Sequence, residues 1–284
     1  MLDILIDSFI DSVRLLPFLY LSYLVVEYAE HRMSEKTKRL IYRAGKAGPV
    51  LGALIGIIPQ CGFAAAAAGL FAGGMISPGT LLAVFLSTSD EMLPIMVSEG
   101  IAVSVIGKIL LVKVAVAVIA GLLLDLAAEK VLGRRREMPE HPEMCGHAHC
   151  GCESHSIWYS ALNHTVRTGV FLFVISLVIG AAMELFDVAG ISHGISQYFA
   201  VEELAAGLIG MIPNCAASVL ITQLYLEGIL GSGALFSGLL CGAGTGLLVL
   251  YRENRSKRMN LALTLALYVS GTAAGILAGA AGIL

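Results

Sequence analysis

Charge is what this sequence has least of. Only 14% of its 284 residues are Asp, Glu, Lys or Arg, against about a quarter in an average soluble domain. With 57% hydrophobic residues and a mean hydropathy of +0.83, the chain cannot bury its apolar surface in one water-soluble core. No basic patch suggests nucleic acid, and the net charge of −3 points to no partner. No nucleotide-binding loop occurs, so energy for any transport would come from an ion or proton gradient, the membrane potential or a partner. No Ser/His/Asp set falls at a plausible common depth, which leaves little for an enzyme to work with. The opening MLDILIDSFIDSVR lacks a positive n-region and a small-residue cleavage site, and reads as no signal peptide.

What is abundant is apolar sequence in long runs. Apolar segments cover about 8–29, 48–58, 62–75, 79–97 and 105–127, then about 160–183, 204–212, 216–228, 233–251 and 259–282. Several reach the ~20 residues that a membrane-crossing helix needs. Helix is the expected state, because hydrocarbon leaves no other way to pair the backbone except a closed barrel. The 32 glycines suit close helix packing in a membrane.

The two sets of segments read as copies. GIIPQC at 56–61 matches GMIPNC at 210–215, an offset of 154 residues. The same offset pairs Leu54 with Leu208, Gly74 with Gly228, Gly79 with Gly233, Leu86 with Leu240 and Gly121 with Gly275. Duplicated halves are common among transporters. The expected domains are a first repeat at 1–128, a linker at 129–157 and a second repeat at 158–284.

Positive charge suggests how the halves lie. Lys and Arg cluster at 31–46, 129–137 and 251–258, and are missing from 72–79, 185–204 and 227–233. The positive-inside rule puts the three basic loops in the cytoplasm. If every apolar segment crosses, 129–137 falls outside. If 48–75 and 204–228 are instead re-entrant hairpins, all three loops agree, both termini lie outside, and each half has three crossings. An odd number inverts the second half relative to the first. The expected fold is therefore all-α and polytopic, an inverted repeat with one re-entrant hairpin per half. The plainer alternative is a bundle of proline-kinked helices.

Candidate chemistry collects at the interruptions. Pro59 and Pro213 block helix continuation at two tips, beside Gln60, Asn214, Cys61 and Cys215. Amide dipoles and thiols there could touch a substrate, although a lone buried Cys is more often a small hydrophobe. FLSTSDEMLP at 85–94 puts Ser87, Thr88, Ser89, Asp90 and Glu91 in mid-span, where charged residues are costly and are functional candidates by default. Their oxygens suit a hard cation such as Mn²⁺. The run is expected to unwind locally. So is its counterpart LLCGAGTG at 239–246, with Thr245. Lys113, 12 residues past the turn near 101, should lie at the depth of Asp90, 11 residues before it. It is a candidate counter-charge, the rival being a Lys that snorkels to the surface.

The linker holds EHPEMCGHAHCGCESH at 140–155. Cys145, His147, His149, Cys150, Cys152 and His155 read as a flexible transition-metal tract, without a two-pair zinc-finger spacing. The plainer reading is a disordered polar linker.

IPQCGFAAAAAGLFAGG, SPGTLLAVFLSTSDEMLPIM and GMIPNCAASVLI together resemble a bacterial family of ten-helix heavy-metal exporters, also labelled arsenic efflux proteins or manganese transporters. The resemblance spans nearly the whole chain. It implies export of a metal or metalloid across the bacterial inner membrane, not an enzyme activity. Expected partners are the lipid bilayer, a metal-ion substrate and, in a homo-oligomer, further copies of the chain. No tightly bound cofactor is expected beyond the transported ion and a metal on the linker. The alternatives are a carrier of a small anion or of arsenite, since half-helix N-termini suit anions, a channel, and a membrane-embedded enzyme.

Overall fold

The computed structural model describes residues 10, 13, 16–17, 20–21, 23–24, 47–58, 61–89, 92–131, 158–159, 161–163, 165–167, 169–170, 173–174, 177–178, 200–213 and 215–283. Every element described is a helix. In chain order they are α1 (Gly48–Gly56), α2 (Cys61–Ala72), α3 (Pro78–Ser87), α4 (Met92–Ser98), α5 (Val103–Val131), α6 (Val201–Gly210), α7 (Cys215–Leu226), α8 (Ser232–Cys241), α9 (Thr245–Glu253) and α10 (Lys257–Ala281). Isolated helical positions between 10 and 24 and between 158 and 178 precede α1 and α6.

Each stop has a local cause. α1 ends in a turn at Ile57 and Ile58, because a residue before proline is driven out of the helical region and Pro59 follows. α6 ends the same way ahead of Pro213. These helices have nine and ten residues, so each reaches about 14–15 Å, half of a ~30 Å hydrocarbon core. The 79–97 and 233–251 segments, each one apolar run in sequence, are both broken. α3 stops at Ser87 and α4 begins at Met92; α8 stops at Cys241 and α9 begins at Thr245.

The elements of the second half follow those of the first at the offset of 154 residues. α2, α3 and α5 start at 61, 78 and 103; α7, α8 and α10 start at 215, 232 and 257. The turns are copied bond for bond. Gly74 (φ 71°) and Gly228 (φ 74°) close α2 and α7 in the left-handed region that glycine enters without strain. Around them Gly73 N bonds Gly69 O, Gly74 N bonds Phe71 O and Met75 N bonds Leu70 O; Glu227, Gly228 and Ile229 bond Gln223, Tyr225 and Leu224 in the same pattern.

Packing repeats as well. α3 lies between α1 and α5, as α8 lies between α6 and α10. Gly79 faces Gly121 so closely that a Cβ on either would overlap the other's backbone; in the second half a Cβ on Gly275 would overlap Gly233 O, while one on Gly233 would meet Glu203 Oε1 first and lie 3.1 Å from Gly275 O. The halves interlock across each other: α9 packs on α2, α7 packs on α4, and the inner helices α3 and α8 touch.

Four stretches are long and apolar enough to cross a membrane among the described residues: Pro78–Ser98, Val103–Lys130, Ser232–Glu253 and Lys257–Ala281. The first and third, the broken ones, are 75% and 89% buried within the protein; the other two are 22% and 33% buried. So the broken spans form the centre and the continuous ones the rim. The rim shows Leu111, Ile119, Leu123, Val269 and Leu277 to the outside, as a lipid-facing surface requires. The chain is a polytopic membrane protein.

Both inner helices also have a carboxylate at their N-terminus, supplied from different places. Ser77 Oγ accepts from Thr80 N at 3.0 Å and donates to Asp125 Oδ2 at 2.7 Å, and Asp125 Oδ1 accepts from Gly79 N at 2.9 Å. In the second half position 231 is glycine, and its N–H goes to Glu202 Oε1 at 2.6 Å. Acidic groups there complement the helix dipole.

The Gly79–Gly121 crossing gives a direct check. Gly79→Ala forces backbone apart and should cost about 1–3 kcal/mol, read as a lower melting temperature in detergent. Gly107→Ala, on the same α5 but with open space around its Cβ, should leave the melting temperature level or higher.

Candidate functional site

The two breaks lie side by side with the ends of α1 and α6. At the end of α1, a Cβ on Gly56 would collide with Ser87 Oγ and come within 2.8 Å of Val84 O. At the end of α6, a Cβ on Gly210 would overlap Gly238 O. At the start of α9, a Cβ on Gly246 would lie 2.8 Å from Phe85 Cε1 and 2.9 Å from Ala64 Cβ. The end of α1 therefore presses on the first break, while the first turn of α2 presses on the second.

At the first break Ser87, Thr88 and Ser89 are all buried. Each hydroxyl donates its proton locally: Ser87 Oγ to Val84 O at 3.1 Å, Thr88 Oγ1 to Val84 O at 2.7 Å, and Ser89 Oγ to Ser87 O at 3.1 Å. With their protons used in this way, the three oxygens keep only lone pairs to offer. That suits a cation.

Lys113, in mid-α5, is 0% exposed. Its Nζ donates to Thr88 O in the first break and, at 2.9 Å, to Leu239 O in the last turn of α8. It does not snorkel. The ammonium ties the two breaks together, and its charge sits where carbonyls concentrate at helix C-termini.

The second break has another character. Gly244 (φ 51°, ψ −140°) precedes α9 and gives it no side-chain cap. Thr245 opens the helix, is buried, and its Oγ1 has no hydrogen-bond partner; no other described buried side-chain oxygen or nitrogen lacks one. A buried hydroxyl without a partner costs about 1–3 kcal/mol, so it marks a place where a ligand would be welcome. Cys241 is a buried free thiol whose Sγ lies 3.9 Å from Leu267 O and 3.8 Å from Tyr268 O. Packing explains it.

Of the residues expected from sequence, Ser87, Thr88, Ser89, Lys113 and Thr245 thus fall in one central region. Cys61 and Cys215 are the first residues of α2 and α7, and Pro213 lies in the bend after α6. Pro59, Gln60, Asp90, Glu91 and Asn214, and the linker's Cys145, His147, His149, Cys150, Cys152 and His155, lie outside the described residues. Among the described residues no three His, Cys, Asp or Glu side chains group as a metal site. The glycine-rich 239–246 stretch was expected to offer carbonyls, and the one that Lys113 takes is Leu239 O; which carbonyl that would be leaves no signal in residue type.

Residues 1–201 match a family described as "Putative, 10TM heavy-metal exporter". The chain belongs to this family. The match takes in the first half, the linker and the start of α6; Thr245 and Cys215 lie beyond it. No curated protein and no solved structure matches the chain.

Thr245→Val tests the second break. Losing a hydroxyl that bonds nothing should leave the melting temperature of the metal-free protein unchanged or slightly higher, while apparent affinity for the transported solute falls several-fold. A clear drop in melting temperature would mean that the hydroxyl has a structural partner after all.

Proposed function

We propose that the protein is a secondary-type transporter that exports a metal cation, with Mn²⁺ or another divalent or heavy metal as cargo. The observation that carries this reading is the first break: three buried hydroxyls with their protons already engaged, followed in sequence by Asp90 and Glu91. Hard oxygen donors of this kind suit Mn²⁺. Membership of the exporter family agrees with metal transport and with a role other than catalysis.

In this reading α1–α2 and α6–α7 are re-entrant hairpins, and the two halves are inverted copies whose tips meet near the midplane. The equal offsets, the copied turns and the half-length α1 and α6 support it. The domains are 1–128, 129–157 and 158–284, and the chain sits in the bacterial inner membrane with loops 31–46, 129–157 and 251–258 cytoplasmic. Gln60, Cys61, Asn214 and Cys215 at the tips join Ser87, Thr88, Ser89, Asp90, Glu91 and Thr245 around the cargo, and Pro59 and Pro213 keep the tips open. The linker cysteines and histidines bind a transition metal as a sensor or delivery segment. No other cofactor takes part.

A second reading has one observation in its favour. The uncapped start of α9, with the unpartnered Thr245 hydroxyl, would take an oxyanion or a neutral metalloid hydroxide such as arsenite.

Proteoliposomes presented with Mn²⁺, Zn²⁺, Fe²⁺, Co²⁺ and arsenite in turn should move one or more divalent ions. Asp90→Asn should cut that flux by roughly tenfold or more, as expected for a functional carboxylate at membrane depth. Transport of arsenite or an organic anion with no metal flux would reverse the choice between the two readings. Deleting 140–155 should leave the folded yield and melting temperature unchanged and alter the response of cells to metal; loss of folding would rule out a flexible sensor.

A further inference from the structure

The geometry around Lys113 goes further than a counter-charge. Its ammonium bonds a carbonyl on each side of the centre, Thr88 O of the first half and Leu239 O of the second. Both oxygens are available because helices stop there. In an unbroken helix the amide of residue 243 would bond Leu239 O; here Ala243 N goes to Cys241 O at 3.0 Å. Two carbonyls from two different elements, with buried hydroxyl oxygens beside the first, are donors that a metal cation takes. The group that holds them is itself a cation, compact and on a flexible stem.

The arrangement is also one-sided. The position equivalent to Lys113 at the offset of 154 is Leu267, fully buried on α10. The Lys113 charge therefore serves both breaks, carried by one half and reaching into the other.

We propose that Lys113 is a tethered stand-in for the transported cation, a positioning residue that holds the two break carbonyls while the site is empty and is displaced when cargo binds. This rests on the metal-cation reading of the site. The two occupants compete for the same oxygens, so cargo binding and the Lys113 bonds exclude one another. The empty carrier then keeps its break carbonyls satisfied and can return without cargo. With Lys113 removed, the empty carrier must return with carbonyls bare in a dry core, which is heavily disfavoured. The loaded carrier is unaffected, since cargo satisfies the same groups.

Net efflux needs the empty return; exchange of one metal ion for another does not. Wild type, Lys113→Met and Lys113→Gln are compared in the same proteoliposomes, with Mn²⁺ or whichever metal the wild type moves. Net efflux into metal-free buffer is measured beside exchange of labelled for unlabelled metal. Lys113→Met keeps the length of the side chain without donors or charge. Lys113→Gln keeps N–H donors but loses the charge and, on a side chain one atom shorter, the reach to both carbonyls. We expect both variants to hold exchange within about threefold of wild type, to lose net efflux by about tenfold or more, and to bind the metal more tightly because the competitor is gone. Equal loss of both fluxes, retention of both, or failure of both variants to fold overturns the proposal, the last by making Lys113 a structural pin. A wild type that moves no metal in either assay overturns the metal reading itself, which is a different result.

Discussion

A helix that stops inside a membrane leaves amides and carbonyls without partners, each costing several kcal/mol in hydrocarbon. This protein stops helices within both central spans, and the rest of the structure follows from making those stops tolerable. The broken spans are kept in the centre, away from lipid, behind continuous α5 and α10. Carbonyls at two of the stops take the buried Lys113 ammonium. A lysine so deep is expensive by itself, and so are the bare carbonyls; together they offset one another. The proposed transport site falls at the same place, because polar groups that tolerate loss of water are also the groups that can take over an ion's water shell.

The duplicated architecture governs how closely the parts can approach. The Gly79–Gly121 and Gly233–Gly275 crossings bring backbone onto backbone in both halves, and the Gly74 and Gly228 turns repeat the same three hydrogen bonds. Where the halves differ, the difference is chemical. The first break has spent hydroxyls; the second has a glycine-rich turn and an unpartnered Thr245. A symmetric frame with asymmetric breaks gives the proposed site one face suited to a cation and another that can still donate a hydrogen bond.

Much of this was legible in the sequence, for physical reasons. Pro59 and Pro213 announce a stop because proline cannot continue a helix, and the helix ends fall just before them. The shared Gly-x-Ile-Pro-x-Cys gave the 154-residue offset, and α2, α3 and α5 recur at that spacing. The polar run 87–91 and glycine-rich 239–246 foretold the two breaks. Depth bookkeeping put Lys113 level with Asp90, and its buried side chain reaches Thr88 O, two residues earlier in the same run. What it bonds could not be read, because Thr88 O and Leu239 O are backbone atoms whose availability depends on where two helices end. Nor could the N-terminal carboxylates: Asp125 serves α3 from α5, whereas Glu202 serves α8 from α6, so no single spacing betrays them.

Central to the proposed function is that α1–α2 and α6–α7 enter the membrane from opposite faces and bring their tips together at its middle. Labelling with a membrane-impermeant thiol reagent tests this most directly. Met75→Cys and Ile229→Cys occupy equivalent turns, each introduced into a background with the six native cysteines replaced by alanine. The account predicts that Met75→Cys reacts in inside-out vesicles and Ile229→Cys in right-side-out vesicles. Reaction of both from the same face would contradict it.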